Sequence, residues 1–244
     1  MEIADFYPTP REMIVNEVET VKFFTRNPLI QAHVNFYGEA QKVFGQSSHN
    51  SRGFSFASYF DLHHRSMLGS RKRMDVNKPN VRLIISALVE QNENLSYGNI
   101  SYVLAICRLQ SKRSSILRKF HFDLSVTTGS RQPQPISHMQ YCGEMIGVMN
   151  DLGYRETQLK QLHPKIREPR VFFSPMSLAL LVDMALREFA DDSFRSKFLG
   201  SPEWKNVIRA NEELVLKKFY EKCFQIIDKG DRNRPTILDE FYRS

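Results

Sequence analysis

Cysteine is scarce: Cys107, Cys142 and Cys223 are the only three in 244 residues, widely spaced and without a Cys-x-x-Cys pair. That excludes a disulfide framework and a cysteine-based zinc site, and the three read as reduced thiols of a cytoplasmic protein. No apolar run approaches the roughly 20 residues that span a bilayer, and no apolar leader follows Met1, so no membrane partner and no secretion are expected. Gly-x-x-x-x-Gly-Lys-Ser/Thr, Gly-x-Gly-x-x-Gly and Gly-x-Ser-x-Gly are all missing. The usual warrants for a nucleotide-binding or α/β-hydrolase reading go with them. No internal repeat, heptad run or low-complexity tract interrupts the chain, which predicts one domain over 1–244. Its parts would be helical at 1–95, sheet at 96–150 and helical again at 174–230.

What is present starts with charge. Thirty-four Lys and Arg against 27 Asp and Glu give +7 and a pI near 9.3, while 41% apolar residues suffice for a core. A basic surplus favours a polyanionic partner, and its distribution is informative. Arg108, Lys112, Arg113, Arg118 and Lys119 crowd together with no acid among them, as a phosphate-contacting hairpin would. A second basic group, Arg65, Arg71, Lys72, Arg73, Lys78 and Arg82, is broken only by Asp75. The plainer reading of both groups is a solvated hairpin tip and loop.

Along the chain, Pro8 and Pro10 place a helix start near Arg11, with Ile14, Val18 and Val21 at helical spacing and Asn27-Pro28 as the stop. Leu29 to Phe44 fits helix or strand. Phe54 to Met67 and Asn80 to Gln91 read as helices, the second through Val81, Ile84, Ile85, Leu88 and Val89. Gly69 to Asn80 reads as a loop. Ile100 to Leu109 is apolar on both faces, like a central strand covered on both sides. Thr157 to Leu162 could form one short helix. Ser174-Pro175 predicts a helix through Phe189 with Ser174 as its cap, and Ser201-Pro202 begins a longer one that Gly230 ends.

The segments 116–124 and 136–142 carry the chemistry. Phe120, Phe122 and Leu124 alternate with Lys119, His121 and Asp123; Met139 and Tyr141 alternate with His138 and Gln140. Antiparallel pairing on one core would put His121, Asp123, His138 and Gln140 on the opposite face. The register would set either Asp123 against His138 and His121 against Gln140, or His121 against His138. Two histidines suit general base and acid for RNA cleavage through the 2′-hydroxyl, with Asp123 orienting an imidazole and Arg118 or Lys119 stabilising phosphate charge. This reading needs no cofactor and no metal, and favours RNA over DNA. A metal-dependent hydrolase would instead use His121, Asp123 and His138 as ligands. The bland alternative is a hydrated polar face, and Cys142 would be a nucleophile only if a histidine reached it. Arg26 to His33 fits the Arg-x4-6-His spacing of HEPN ribonucleases, a spacing that also arises by chance; Arg131 to His138 fits it too, but its prolines exclude a helix. From a different class, the apolar C-terminal helices could dock a partner protein or a second copy, without catalysis.

His121-Phe-Asp123, Pro135-Ile-Ser-His138-Met-Gln140 and Phe173-Ser-Pro-Met-Ser-Leu178 leading into Leu186-Arg-Glu-Phe189 resemble a bacterial domain family of unknown function, over roughly residues 100–190. The resemblance implies a bacterial or phage-related origin, with toxin or antiphage systems as the associated context, and implies no activity. The fold class expected is α+β: an antiparallel sheet with central strands at about 100–110, 116–124 and 136–142, flanked by helices.

Overall fold

A computed structural model describes residues 6–28, 53–62, 81–91, 97–109, 114–125, 134–135, 137–141, 170–190, 192–228, 236–237 and 242–243. The first helix, α1 (Pro10–Arg26), starts where the prolines place it. Thr9 caps it in a capping box: Glu12 N–H donates to Thr9 Oγ1 (3.3 Å) and Thr9 N–H to Glu12 Oε2 (2.8 Å). Its buried stripe is Met13, Glu17, Thr20, Val21 and Phe24. Ile14 and Val18, read at helical spacing with Val21, are only partly buried against the core.

Six strands form one antiparallel sheet in the order β1 (Gly53–Leu62), β2 (Val81–Gln91), β3 (Tyr97–Leu109), β4 (Ser114–Ser125), β6 (Ser137–Tyr141) and β7 (Arg170–Phe172). β5 (Gln134–Pro135) pairs separately with β8 (Tyr242–Arg243). The α+β architecture is as expected, but the sheet extends further upstream. Phe54 to Leu62 and Val81 to Gln91 are strands, not helices. In β1 the inward positions Phe54, Phe56, Phe60 and Leu62 recur with period two. In β2, Val81, Leu83, Ile85, Ala87 and Val89 enter the core, while Ile84, on the other face, is just as buried. Apolar residues on both faces imitated helical spacing. Gly53 is needed where β1 begins, because a Cβ there would stand 2.8 Å from the Val89 carbonyl oxygen of β2.

The helices cover one face of the sheet. α2 (Leu178–Phe189) is capped by Ser177, whose Oγ accepts from Leu180 N–H at 3.3 Å, so the cap lies three residues after Ser174, the expected one. Residues 173–177 form an extended strap, held where the Tyr7 hydroxyl donates to the Met176 carbonyl (3.0 Å). A short helix α3 (Asp192–Phe194) runs into a π turn at Arg195–Leu199. Ser201 and Pro202 start α4 (Pro202–Asn211) as expected, and a π turn at Glu212–Leu216 leads into α5 (Lys217–Asp228). Trp204 is fully buried among Phe23, Phe24 and Phe198, and its indole N–H donates to Asp183 Oδ1 at 2.8 Å. β3, as expected, is covered on both sides: Tyr102, Leu104 and Ile106 face the helices, and Val103, Ala105 and Cys107 are buried on the reverse. Expectations for 29–44, 69–80, 157–162 and Gly230 lie outside the described residues.

Candidate functional site

The two site strands pair in the first of the two registers: Asp123 stands opposite His138 and His121 opposite Gln140. The pairing is fixed from the core side. Phe122, buried in the core, lies opposite Met139 and packs its ring 5.3 Å from that of Phe173, while Leu124 lies opposite Ser137. A slip by one residue would turn Phe122 and Leu124 out and carry the polar set inward. His121 and His138 are therefore diagonal neighbours on one face, with Cβ atoms roughly 7 Å apart. Lys119 shares that face two residues before His121.

Burial changes the character of this face. Lys119 and His138 are 3% exposed and His121 8%, so these side chains are not a hydrated surface. Asp123 and Gln140 are only partly buried and mark the side open to solvent. The nearest Asp123 oxygen stands 3.8 Å from His138 Nε2. That is too long for a hydrogen bond, and it places the carboxylate to pair with a protonated imidazole. Beside the row run Val103 and Ala105 of β3, opposite His121 and Lys119. The site thus has an apolar floor on one side and polar groups on the other.

The basic residues separate. Arg118 is exposed and, by alternation, projects to the face opposite Lys119, so it does not join the histidines; Lys119 does. The β3–β4 register shifts here, Ile106 pairing with Arg118 and Cys107 with Ile116, so β4 carries the extra residue. Arg108 falls in β3 with its side chain outside the described residues, as are Lys112 and Arg113. Of the second basic group only Arg82 is described. It donates to both oxygens of Asp61 (2.6 and 2.8 Å) and stacks 4.0 Å over the Tyr59 ring, which ties it to structural partners. Arg26 ends α1, and His33, Arg131 and Cys142 lie outside the described residues. Burial pushes the Cys107 thiol up to about 12, leaving it inert. Among the described residues no group of three His, Cys, Asp or Glu side chains is arranged to hold a metal ion, and no helix is long and apolar enough to cross a membrane.

One polar centre escaped the sequence. Glu17 is completely buried between α1, β3 and α2. Tyr102 O–H donates to Glu17 Oε1 (2.7 Å), and the N–H of Leu178, in the first turn of α2, donates to both carboxyl oxygens at 3.2 Å. Burial pushes its carboxyl up to about 7, although both hydrogen bonds oppose the shift. Alongside, Asn211 Oδ1 accepts from Ser177 Oγ (2.7 Å) and Asn16 Nδ2 (2.8 Å). A cavity of about 10 Å³ between the 174–176 strap and the sheet, lined by Tyr7, Tyr102 and Phe122, has room for about one water. The available signal was spacing: Glu17 falls four residues after Met13 and four before Val21, on the buried stripe.

No protein family, no curated protein and no solved structure matches the chain.

Proposed function

We propose that this protein acts on nucleic acid as a metal-independent, ribonuclease-like effector centred on His121 and His138. The observation that supports the reading most is the burial of Lys119, His121 and His138 side by side on one sheet face. Water-starved ionisable groups are costly to a fold, and they concentrate where chemistry requires them. Cleavage of RNA through its 2′-hydroxyl needs a proton removed, a proton delivered and charge stabilised on the phosphorus oxygens. In this assignment His121 takes the 2′-hydroxyl proton, and His138, with Asp123 beside it, protonates the departing 5′-oxygen. Lys119 stabilises the charge that develops on the phosphate, and Gln140, opposite His121, orients that imidazole or the substrate. The +7 net charge supports a polyanionic substrate. A toxin or antiphage role is the biological setting this activity fits.

Binding and cleavage of a labelled RNA oligonucleotide in the presence of chelator test the proposal. Binding should weaken steeply with salt. His121→Ala and His138→Ala should each abolish cleavage while keeping the wild-type circular dichroism spectrum and the salt-dependent binding. Retention of full cleavage in either variant sinks the assignment, as does a protein that no oligonucleotide retains at low salt.

A further inference from the structure

Helix α5 carries an apolar stripe that stays half or more exposed. Tyr220, Phe224 and Ile227 are 57%, 66% and 50% exposed and sit at i, i+4 and i+7. At about 100° per residue they form one line, roughly a third of a turn from Phe219 and Ile226, which anchor the helix in the core. Single exposed apolar side chains are ordinary; a continuous line of large ones marks a contact surface.

We propose that this stripe pairs with the same stripe of a second copy of the chain, the two α5 helices running antiparallel about a twofold axis. The flanking charges choose that occupant. On the flank away from the core the helix begins with Lys217 and continues with the exposed acids Glu221 and Asp228. In an antiparallel pair like flanks meet head to tail, so each Lys217 lies against the other copy's Asp228 and the attraction is made twice, as a self-complementary interface requires. A parallel pair would set Lys217 level with Lys217. A uniformly charged partner would not match a flank that changes sign along its length. Lys217 already pairs with Glu213 of the preceding π turn at 3.0 Å, but both side chains are more than half exposed, so exchanging that partner costs little.

Three side chains per copy fall short of the roughly 1,200 Å² that stable pairs bury, so association is weak, with dissociation on the order of 0.1 mM. Sedimentation equilibrium of the full chain, over concentrations on the order of 0.01 to 1 mM, reads it directly. The weight-average mass should climb from 28.5 kDa toward twice that value. Phe224→Glu, at a site exposed enough to leave the fold intact, should hold it at 28.5 kDa. Lys217→Asp and Asp228→Lys should each weaken association by about tenfold, and the double exchange should restore it. A mass that stays at 28.5 kDa throughout, association unchanged by Phe224→Glu, or a double exchange no better than the single variants overturns the proposal.

Discussion

Replacing Glu17 by glutamine tests the physical account of the core at its most unusual point. The carboxyl rises from an ordinary 4.5 to about 7 because burial disfavours the anion more than the Tyr102 and Leu178 hydrogen bonds favour it. At about 1.4 kcal/mol per pKa unit, ionising Glu17 in the folded protein costs about 3 kcal/mol more than in the unfolded chain. Below pH 4.5 both states hold the proton and Glu17 adds no pH dependence. Between 4.5 and about 7 only the folded state keeps it, so stability falls as pH rises, and above 7 the full penalty is in place. The other titratable groups facing the carboxyl are Tyr102 and, through it, Tyr7; burial raises Tyr102 far above 10, so it stays neutral throughout. Glutamine resembles the neutral acid and keeps an oxygen to accept from Tyr102 and Leu178. Urea unfolding from pH 4 to 8.5 should therefore show near-equal stabilities for Glu17→Gln and wild type at pH 4. At pH 8.5 the variant should lead by about 2 to 3 kcal/mol. The difference between the two curves isolates Glu17 from every other titrating group. Parallel curves would refute the reasoning.

Asp183→Ala, which strips the buried Trp204 indole N–H of its acceptor, should cost about 1 to 3 kcal/mol in the same assay, with Asp183→Asn recovering most of it. Phe122→Ala removes a ring between the sheet and Phe173, and should cost about 3 to 5 kcal/mol. Cys107, buried and with its thiol pushed up to about 12, should escape iodoacetamide at pH 8 in the folded protein and react fully in urea, as read by peptide mass mapping.

The site strands were legible because their two faces differ. Phe120, Phe122 and Leu124 against Lys119, His121 and Asp123 admit only period two, and the matching alternation in Met139 and His138 fixes the partner to one of two registers. β2 was not legible for the converse reason. Ile84 and Ile85 are both buried, on opposite faces, and a strand covered twice loses its alternation, so Val81, Ile84, Ile85, Leu88 and Val89 fell on a helical template as well. Ser174-Pro175 carries a helix-start signal, yet Ser177 is the cap, and the residues before it run as the strap that holds the Met176 carbonyl against Tyr7. Opposite directions for Arg118 and Lys119 follow from alternation alone. The depth at which Lys119 and the histidines lie does not, since burial depends on the tertiary cover of the sheet.

The measurement that bears most directly on the central reading uses two substrates, both in chelator. One is an RNA oligonucleotide; the other is the same oligonucleotide with 2′-deoxyribose throughout. If His121 and His138 act as base and acid across one phosphate, the RNA is cut to 2′,3′-cyclic phosphate ends. The rate should be bell-shaped in pH, the deoxy analogue should stay intact, and the His121→Ala, His138→Ala double variant should be inactive. An RNA left whole at every pH, or cleavage that proceeds equally on the deoxy substrate or in the double variant, contradicts it.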